Sequence, residues 1–234
     1  MAGILCAVIG LKVMLQGGAW IVSKQWWLGS VFLGVLTLLV AALFSLRDPD
    51  WRNSLGLGRC RLGSAIGWGV LGLGAVYGTN LIVTMFGVFM GVDMHTQAKE
   101  KLEWLLKMAD VPWLIILPLV VFVGFWEETV FRGFLLGRVR VALPAGDGTV
   151  TPWQRDANAV VITALLFGIG HGYQGIWGVV STTVIGVVFG GLTLWRKTVW
   201  ASVFAHITLD GVTFSAIKML ASFLQEWLRS QSGS

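Results

Sequence analysis

The residues of this chain that are best suited to chemistry lie where a lipid bilayer is expected. Glu127, Glu128 and Arg132 directly follow Val111–Phe125, a run of fifteen residues without a charged side chain. A charged side chain at membrane depth costs several kcal/mol on insertion scales. Ionisable residues are therefore rare at that depth, and they are interpreted first as functional.

Helical geometry separates the two glutamates. Glu128 and Arg132 are four residues apart, so on a helix they share a face and can form an ion pair. Glu127 points about 100° away from Glu128. The arginine can thus neutralise one carboxylate while the other faces a cavity. A buried ion pair without catalysis explains Glu128 and Arg132 equally well, but it does not explain Glu127.

Three further polar residues occur in later apolar segments. His171 follows Phe167 by four residues, and Asp210 follows His206 by four, so each pair shares a helical face. A lone histidine on an apolar helix is usually a hydrogen-bonded core residue. Here two of the three histidines lie in predicted spans with such a neighbour, whereas His95 lies in a charged segment and is interpreted as solvated. We interpret the combined set as a reaction centre.

The charge of this set needs compensation. Glu127, Glu128, Asp210 and Arg132 sum to about −2 when the histidines are neutral, and an unpaired charge in apolar surroundings is very costly. Protonation of one glutamate would give a carboxyl group suited to acid–base catalysis. A bound Zn²⁺ is the alternative, with these candidate ligands: Glu127, His171, His206 and Asp210. A glutamate suited to acid–base catalysis and a bound Zn²⁺ could each activate a water molecule.

The elements that carry these residues are predicted to be membrane helices. Of the 234 residues, 56% are hydrophobic and 12% are charged, and the mean hydropathy is +0.77. A spanning helix needs about 17–25 mostly apolar residues. An all-α polytopic membrane bundle of about seven transmembrane helices is therefore predicted. The predicted spans are Met1–Val22 (the weakest), Trp27–Leu46, Ser64–Val92, Val111–Leu136, Asn158–Tyr173, Gly175–Trp195 and Val199–Ser215.

We predict one integrated domain in three parts. Residues 1–110 form N-terminal transmembrane helices and an interfacial helix, residues 111–216 the catalytic membrane core, and residues 217–234 an amphipathic tail. The segments Asp93–Asp110 and Ile217–Leu228 place apolar residues at helical spacing among charges, which is typical of interfacial helices. Cys6 and Cys60 match no zinc spacing, so no role is assigned to them.

The loops between the spans predict the topology. With seven spans, nine Lys and Arg residues fall in loops on one side and six on the other. The positive-inside rule then places the N-terminus in the cytoplasm, most simply in a plasma (inner) membrane. The scattered bases form no stripe, which argues against nucleic-acid binding. The same arrangement places Glu127 and His171 at depths that differ by roughly 14 Å.

Three motifs in this chain resemble those of the CAAX-protease and bacteriocin-processing family of intramembrane proteases. Residues 127–132 read EExxxR, residues 167–171 read FxxxH, and residues 206–210 are a histidine followed four positions later by Asp. Each motif alone is weak, but all three in this order, each on a predicted span, are highly specific. The resemblance covers roughly Pro112–Gly211.

The resemblance implies a role for each matched residue. Glu127 and His171 would activate the attacking water, and His206 and Asp210 would serve the oxyanion or a metal. Glu128, Arg132 and Phe167 would support them. The eukaryotic prenyl proteases that this chain resembles have Asn at the last position. Asp210 cannot donate a hydrogen bond unless it is protonated, so it is better suited to orienting His206 or binding a cation.

The sequence thus favours an intramembrane endopeptidase that uses a glutamate-activated water, with or without Zn²⁺. Its partners would be the bilayer and a peptide or membrane-associated protein substrate, of the CAAX type or another. Two alternatives remain: a non-catalytic immunity or scaffold protein, and a cation or proton carrier, in which intramembrane Glu, His and Asp are also typical. The ordered motifs favour the protease, and a transporter would more often show repeat symmetry. The sequence does not indicate an oligomeric state.

Overall fold

The regular structure of the chain is helical. The computed structural model describes residues 26–93, 96, 109, 111–143 and 151–232, and the elements in this part of the chain contain no strand. The predicted all-α fold is confirmed. In chain order the elements are α1 (Trp26–Ser45), α2 (Trp51–Ser54), α3 (Leu62–Phe89), α4 (Trp113–Glu127), a π-helical segment (Glu128–Leu135), α5 (Leu136–Ala142), α6 (Pro152–Gly170), α7 (Gly175–Arg196) and α8 (Trp200–Ser232).

Within the described residues, five helices are long and apolar enough to cross a membrane. They are Trp27–Ser45, Leu62–Phe89, Trp113–Ala142, Gly172–Arg196 and Trp200–Phe223. The chain is therefore an integral, multi-pass membrane protein. The predicted span Asn158–Tyr173 does form a helix, but it is not among the five, because α6 begins with a polar turn containing Gln154, Arg155 and Asp156. The predicted span Met1–Val22 and most of Asp93–Asp110 lie outside the described residues.

Helices α4 and α5 with the π-helical segment form one continuous helix, and this helix occupies the middle of the bundle. Its α4 part packs against α1 and α8, and its π-helical part packs against α1, α6 and α7. A buried aromatic cluster joins the π-helical segment to α6 through Trp126, Phe131 and Phe167. The predicted functional residues therefore lie at the centre of the molecule.

The pair α6 and α7 approaches unusually closely at Gly168. A Cβ atom at this position would lie 2.7 Å from the carbonyl oxygen of Val179, on the backbone of α7. Gly186 has a similar position, where a Cβ atom would lie 2.9 Å from Cα of Ala164. These glycines allow the close approach of the two helices, since larger residues would separate them. Gly172 and Gly191 instead face open space.

The connection between α1 and α3 is hydrogen-bonded to the start of α8 through residues Leu55–Gly58. We call these residues the docking loop. The carbonyl oxygen of Gly56 accepts hydrogen bonds from Val199 N and Thr198 Oγ1, both at 3.0 Å. Trp200 Nε1 donates to the carbonyl oxygen of Gly58 at 3.1 Å. Gly56 has a φ of 69°, which favours glycine. The loops that follow α1 and α7 therefore lie at the same end of the bundle.

The docking loop also contacts the π-helical segment directly. A Cβ atom at Gly133 would lie 2.0 Å from the carbonyl oxygen of Leu55, so only glycine allows this approach. Arg138 lies at the same end and donates to the carbonyl oxygen of Phe44 at 3.4 Å. Arg138 on α5 therefore lies at the same end of the bundle as the loops that follow α1 and α7.

The predicted depth difference between Glu127 and His171 is wrong. The long helix ends at Ala142 rather than at Leu136, so Glu127 lies near its middle. Leu136 packs against Ala159 of the neighbouring antiparallel helix α6. Glu127 lies nine residues before Leu136, and Gly168 lies nine residues after Ala159. Because the two helices are antiparallel, Glu127 and Gly168 lie at a similar depth. His171 is three residues further along α6, so its depth differs from that of Glu127 by about 4.5 Å at 1.5 Å per residue.

Helix α8 also extends beyond the predicted span. It continues without interruption from Trp200 to Ser232, so the residues predicted as a separate tail are part of the same helix. Lys218 on this helix donates to the carbonyl oxygens of Ala109 and Val111, at 2.5 and 2.6 Å. These bonds fix α8 to the chain that leads into α4.

Candidate active site

The π-helical segment begins at Glu128, inside the first predicted motif. Glu128 is fully buried and Arg132 is 4% exposed. Arg132 Nη1 lies 3.0 Å from Glu128 Oε1, so the predicted ion pair is present. π-Helical turns are rare and often occur at functional sites. No sequence pattern indicates this segment, because spacing patterns assume a regular α-helix.

The imidazole of His206 lies among three carboxylates. Its Nδ1 is 2.8 Å from Glu128 Oε1, which is hydrogen-bond distance. Its Nε2 is 3.8 Å from Glu127 Oε2 and 3.6 Å from Asp210 Oδ2. The two glutamates, which point in different directions from their helix, thus reach the two opposite nitrogens of one ring.

The bond to Glu128 defines the state of His206. Arg132 lies against Glu128, and an ionised carboxylate can only accept, so in this ion pair Glu128 accepts a hydrogen bond from His206 Nδ1. In a neutral ring, Nε2 then carries the lone pair and faces Glu127 and Asp210. The pair Glu128–Arg132 therefore orients His206 as well as filling the core.

Phe167 connects the second motif to the other two. The guanidinium carbon of Arg132 lies 4.1 Å from the centre of the Phe167 ring, a cation–π contact. The same ring meets His206 edge-on at 6.3 Å and lies 4.6 Å from the ring of His171. Phe167 is itself 2% exposed. The three motifs therefore meet around one buried aromatic ring.

His171 lies at the end of α6, where the chain turns towards α7. Its Nδ1 lies 2.9 Å from the carbonyl oxygen of Phe167, and this bond fixes the orientation of the ring. The centre of the Tyr173 ring lies 5.7 Å from the centre of the His171 ring. His171 thus belongs to the aromatic wall of the site.

Several buried polar atoms of the site lack a hydrogen-bond partner among the described residues. They are Glu127 Oε2, Glu128 Oε2, Thr129 Oγ1, Trp126 Nε1 and Arg132 Nη2. Buried polar groups are nearly always hydrogen-bonded, often to internal water. The site therefore suits water or a polar substrate.

A zinc site would require a different placement of these side chains. Three protein ligands must converge on one ion about 2.0–2.2 Å from each of them. In the described part of the chain, no three His, Cys, Asp or Glu side chains are arranged in this way. The Nδ1 atoms of His206 and His171 are engaged with Glu128 and with a backbone carbonyl. The residues as placed do not fit the ion, so we derive no step through it, and zinc stays a prediction.

Two residues of this site were missed in the sequence. Phe189 on α7 is fully buried, with its ring 5.8 Å from His206 and 5.7 Å from the guanidinium of Arg132. No motif marks it, because phenylalanine in an apolar span is unremarkable. Tyr173 did carry a signal, since it is one of two tyrosines in the chain and lies two residues after His171.

Comparison with protein families agrees with this geometry. Residues 109–212 match the family described as type II CAAX prenyl endopeptidase Rce1-like. Comparisons with curated proteins and with solved structures gave no match. The matched region runs from just before α4 to the residues after Asp210, and it contains all three motifs. This region of the chain is thus similar to the type II CAAX prenyl endopeptidases of the Rce1-like family.

Proposed function

We propose that this protein is an intramembrane endopeptidase in which Glu127 activates the attacking water. The observation that carries the proposal is the buried imidazole of His206, which lies between Glu127 and Glu128 with Asp210 beside it. A purely structural histidine needs one partner for each nitrogen. Three carboxylates around one ring, at the centre of a membrane bundle, are typical of a catalytic site.

Glu127 is the best candidate for the general base. Its Oε2 is buried and has no partner among the described residues, and it lies beyond hydrogen-bond distance of His206 Nε2. A water between these groups would bond to both. Glu127 takes one proton from this water as the oxygen attacks the peptide carbonyl carbon. When the carbon–nitrogen bond breaks, the same proton passes to the leaving amine.

The other residues hold this arrangement. Glu128 keeps the proton of His206 on Nδ1, so Nε2 accepts a hydrogen bond from the water or from Asp210 in its protonated form. His171, fixed through its Nδ1 to Phe167, supports the same water through Nε2. Arg132 balances one of the negative charges. Each matched motif thus contributes one element of a hydrolytic site.

The substrate that we propose is a membrane-associated peptide or protein, with a CAAX-type C-terminus as the first candidate. The description of the matching family names CAAX prenyl endopeptidases, and a lipid-modified peptide would reach a site buried between membrane helices. We further propose that the basic end of the bundle, with the docking loop, faces the cytoplasm of a plasma membrane. A prenylated protein would then approach from that side.

The test uses the purified protein in lipid vesicles with farnesylated and unmodified versions of one CAAX peptide. Mass spectrometry identifies the bond that is cleaved. Glu127→Gln should lower turnover by about 10²–10⁴-fold, since positioned general bases contribute this much. Asp50→Asn, which removes an exposed carboxylate outside the site, is the matched control and should leave turnover unchanged.

Two results would overturn the proposal. Glu127→Gln protein that keeps more than about a tenth of wild-type turnover excludes Glu127 as the base. Wild-type protein that cleaves neither peptide, nor any member of an unmodified peptide library, favours the non-catalytic alternative. Equal cleavage of farnesylated and unmodified peptides would refute only the preference for prenylated substrates.

A further inference from the structure

Helices α3 and α7 meet at the end of the bundle that holds the docking loop. A Cβ atom at Gly72 on α3 would lie 2.8 Å from Cδ2 of Leu192 on α7. Nearer the start of α3, Ser64 accepts a hydrogen bond from Arg196 Nη2 at 3.0 Å. The two helices are therefore antiparallel, and the first turn of α3 lies beside the last turn of α7. Both are long and apolar enough to span a membrane, so their junction lies near the lipid headgroups.

Two tryptophan rings pack around the arginine at this junction. The rings of Trp68 and Trp195 meet edge-on, with 4.5 Å between their centres. The guanidinium carbon of Arg196 lies 5.0 Å from the centre of the Trp68 ring, which is within cation–π distance. Trp195 is 67% exposed, and tryptophans at the ends of membrane spans prefer the headgroup region. The ring contact and the hydrogen bond therefore hold the Arg196 guanidinium at the level of the headgroups.

Two more cations flank the same junction. Arg61 directly precedes α3, Lys197 directly follows α7, and both are exposed. We call Arg61, Arg196 and Lys197 the basic cluster. Among the residues that the structure describes, no Asp or Glu side chain forms an ion pair with any of the three. The described residues therefore leave the positive charge of the basic cluster to an anionic ligand.

The chemistry of the basic cluster suits the phosphate group of a lipid. A guanidinium has five N–H donors and can give a phosphate two parallel hydrogen bonds, and Ser64 uses one of these donors on Arg196. Basic pockets between membrane helices suit anionic headgroups. The acyl chains have room as well, because Gly191 shares a face of α7 with Trp195 and opens into free space.

We propose that the basic cluster binds the headgroup of one anionic phospholipid. Arg196 donates hydrogen bonds to the phosphate, Arg61 and Lys197 add positive charge around it, and the acyl chains lie along α7 beside Trp195. A structural role for Arg196 explains only its contact with Ser64, whereas a lipid also explains the exposed cations and the exposed tryptophan. The proposal involves no residue of the candidate active site, so it is independent of the proposed function.

Native mass spectrometry of the purified protein in detergent tests the proposal. Titration with phosphatidylglycerol, and separately with phosphatidylcholine of the same acyl chains, gives the dissociation constant of the first bound lipid. The wild type should bind phosphatidylglycerol at least about tenfold more tightly, since each basic residue near the headgroups favours an anionic lipid. Soluble glycerol 3-phosphate carries a phosphate without acyl chains, and it should bind far more weakly than phosphatidylglycerol.

Two variants each remove one charge from the basic cluster. Arg196→Gln should weaken the binding of phosphatidylglycerol by about 10–100-fold, because hydrogen bonds to a charged group are lost. Lys197→Asn should weaken it by about fivefold. This variant preserves the end of α7, because Lys197 has a φ of 56° and asparagine accepts the left-handed conformation. Binding of phosphatidylcholine should change little in either variant.

Arg52→Gln is the matched control. Arg52 lies at the same end of the bundle, is exposed, and has its guanidinium carbon 5.4 Å from the centre of the Trp51 ring. It thus resembles Arg196 in charge and in its aromatic contact, but it lies outside the basic cluster. Its loss should leave both dissociation constants within about twofold of the wild type. A general attraction of anionic lipids to this end of the bundle would instead be reduced equally by Arg52→Gln and Lys197→Asn.

Each of three results would overturn the proposal. The first is equal binding of phosphatidylglycerol and phosphatidylcholine by the wild type. The second is a loss of phosphatidylglycerol binding in Lys197→Asn that is no larger than the loss in Arg52→Gln. The third is binding of glycerol 3-phosphate as tight as that of phosphatidylglycerol, because the basic cluster would then be a site for free anions rather than for a lipid.

Discussion

Arg132→Ala is expected to destabilise this protein more than any other change to the site. Arg132 is 4% exposed, and its partner Glu128 is fully buried. The variant would leave the Glu128 carboxylate without its arginine, next to the same apolar side chains. Removing one partner of a buried ion pair costs about 3–5 kcal/mol. The lost contact with the face of Phe167 adds about 1–2 kcal/mol.

A double variant shows whether the stranded charge causes this loss. In Arg132→Ala with Glu128→Gln, the uncompensated carboxylate is gone, while the amide oxygen can still accept the proton from His206 Nδ1. The double variant should therefore be more stable than Arg132→Ala alone, by about 1–3 kcal/mol. Denaturation in mixed micelles, followed by tryptophan fluorescence, measures both differences in free energy of unfolding.

Arg138→Ala is the matched control for this experiment. Arg138 is exposed; among the described residues it makes one long hydrogen bond and lies 5.3 Å from the centre of the Phe134 ring, so its loss should change stability by about 1 kcal/mol or less. The reasoning fails if Arg132→Ala is no less stable than this control. It also fails if Glu128→Gln makes the Arg132→Ala protein less stable, because the carboxylate would then not be the source of the loss.

Two further predictions concern the docking loop and the metal. Gly133→Ala should destabilise the protein by about 1–3 kcal/mol, because the new methyl group meets the carbonyl of Leu55; Gly137→Ala, with open space around it, should be neutral or slightly stabilising in the same denaturation assay. Chelator-treated protein is expected to remain active, and Asp210→Asn to be tolerated. Loss of activity that only Zn²⁺ restores, together with weaker zinc binding by Asp210→Asn, would establish the zinc mechanism instead.

Much of the fold was predictable because membrane spans follow from simple composition. Long apolar runs become helices when lipid surrounds them, since the backbone must satisfy its own hydrogen bonds. The runs around α1, α3 and α7 are therefore close to their predicted limits. The predicted helix ends are wrong where charged residues beyond the apolar run form ion pairs. The long central helix continues past Leu136 because Arg140 forms an ion pair with Asp156 on α6.

The site was predictable as a set of residues but not as an arrangement. Spacing of four residues correctly paired Glu128 with Arg132. The contact between Glu128 and His206 joins positions 78 residues apart, and no local pattern encodes it. The π-helical segment packs against α1, α6 and α7, and these contacts likewise join residues that are distant in the sequence.

The docking loop has a consequence for the synthesis of this protein. Gly56 and its donor Thr198 are 142 residues apart. At about 5–20 residues per second, the ribosome adds the residues between them in roughly 7–30 s. During that time the carbonyl groups of the docking loop can accept hydrogen bonds from water only, because the start of α8 has not yet been made. The central helix is therefore synthesised well before the start of α8 can bind the docking loop. A ribosome that stalls before Thr198 releases a product in which the docking loop lacks these hydrogen bonds.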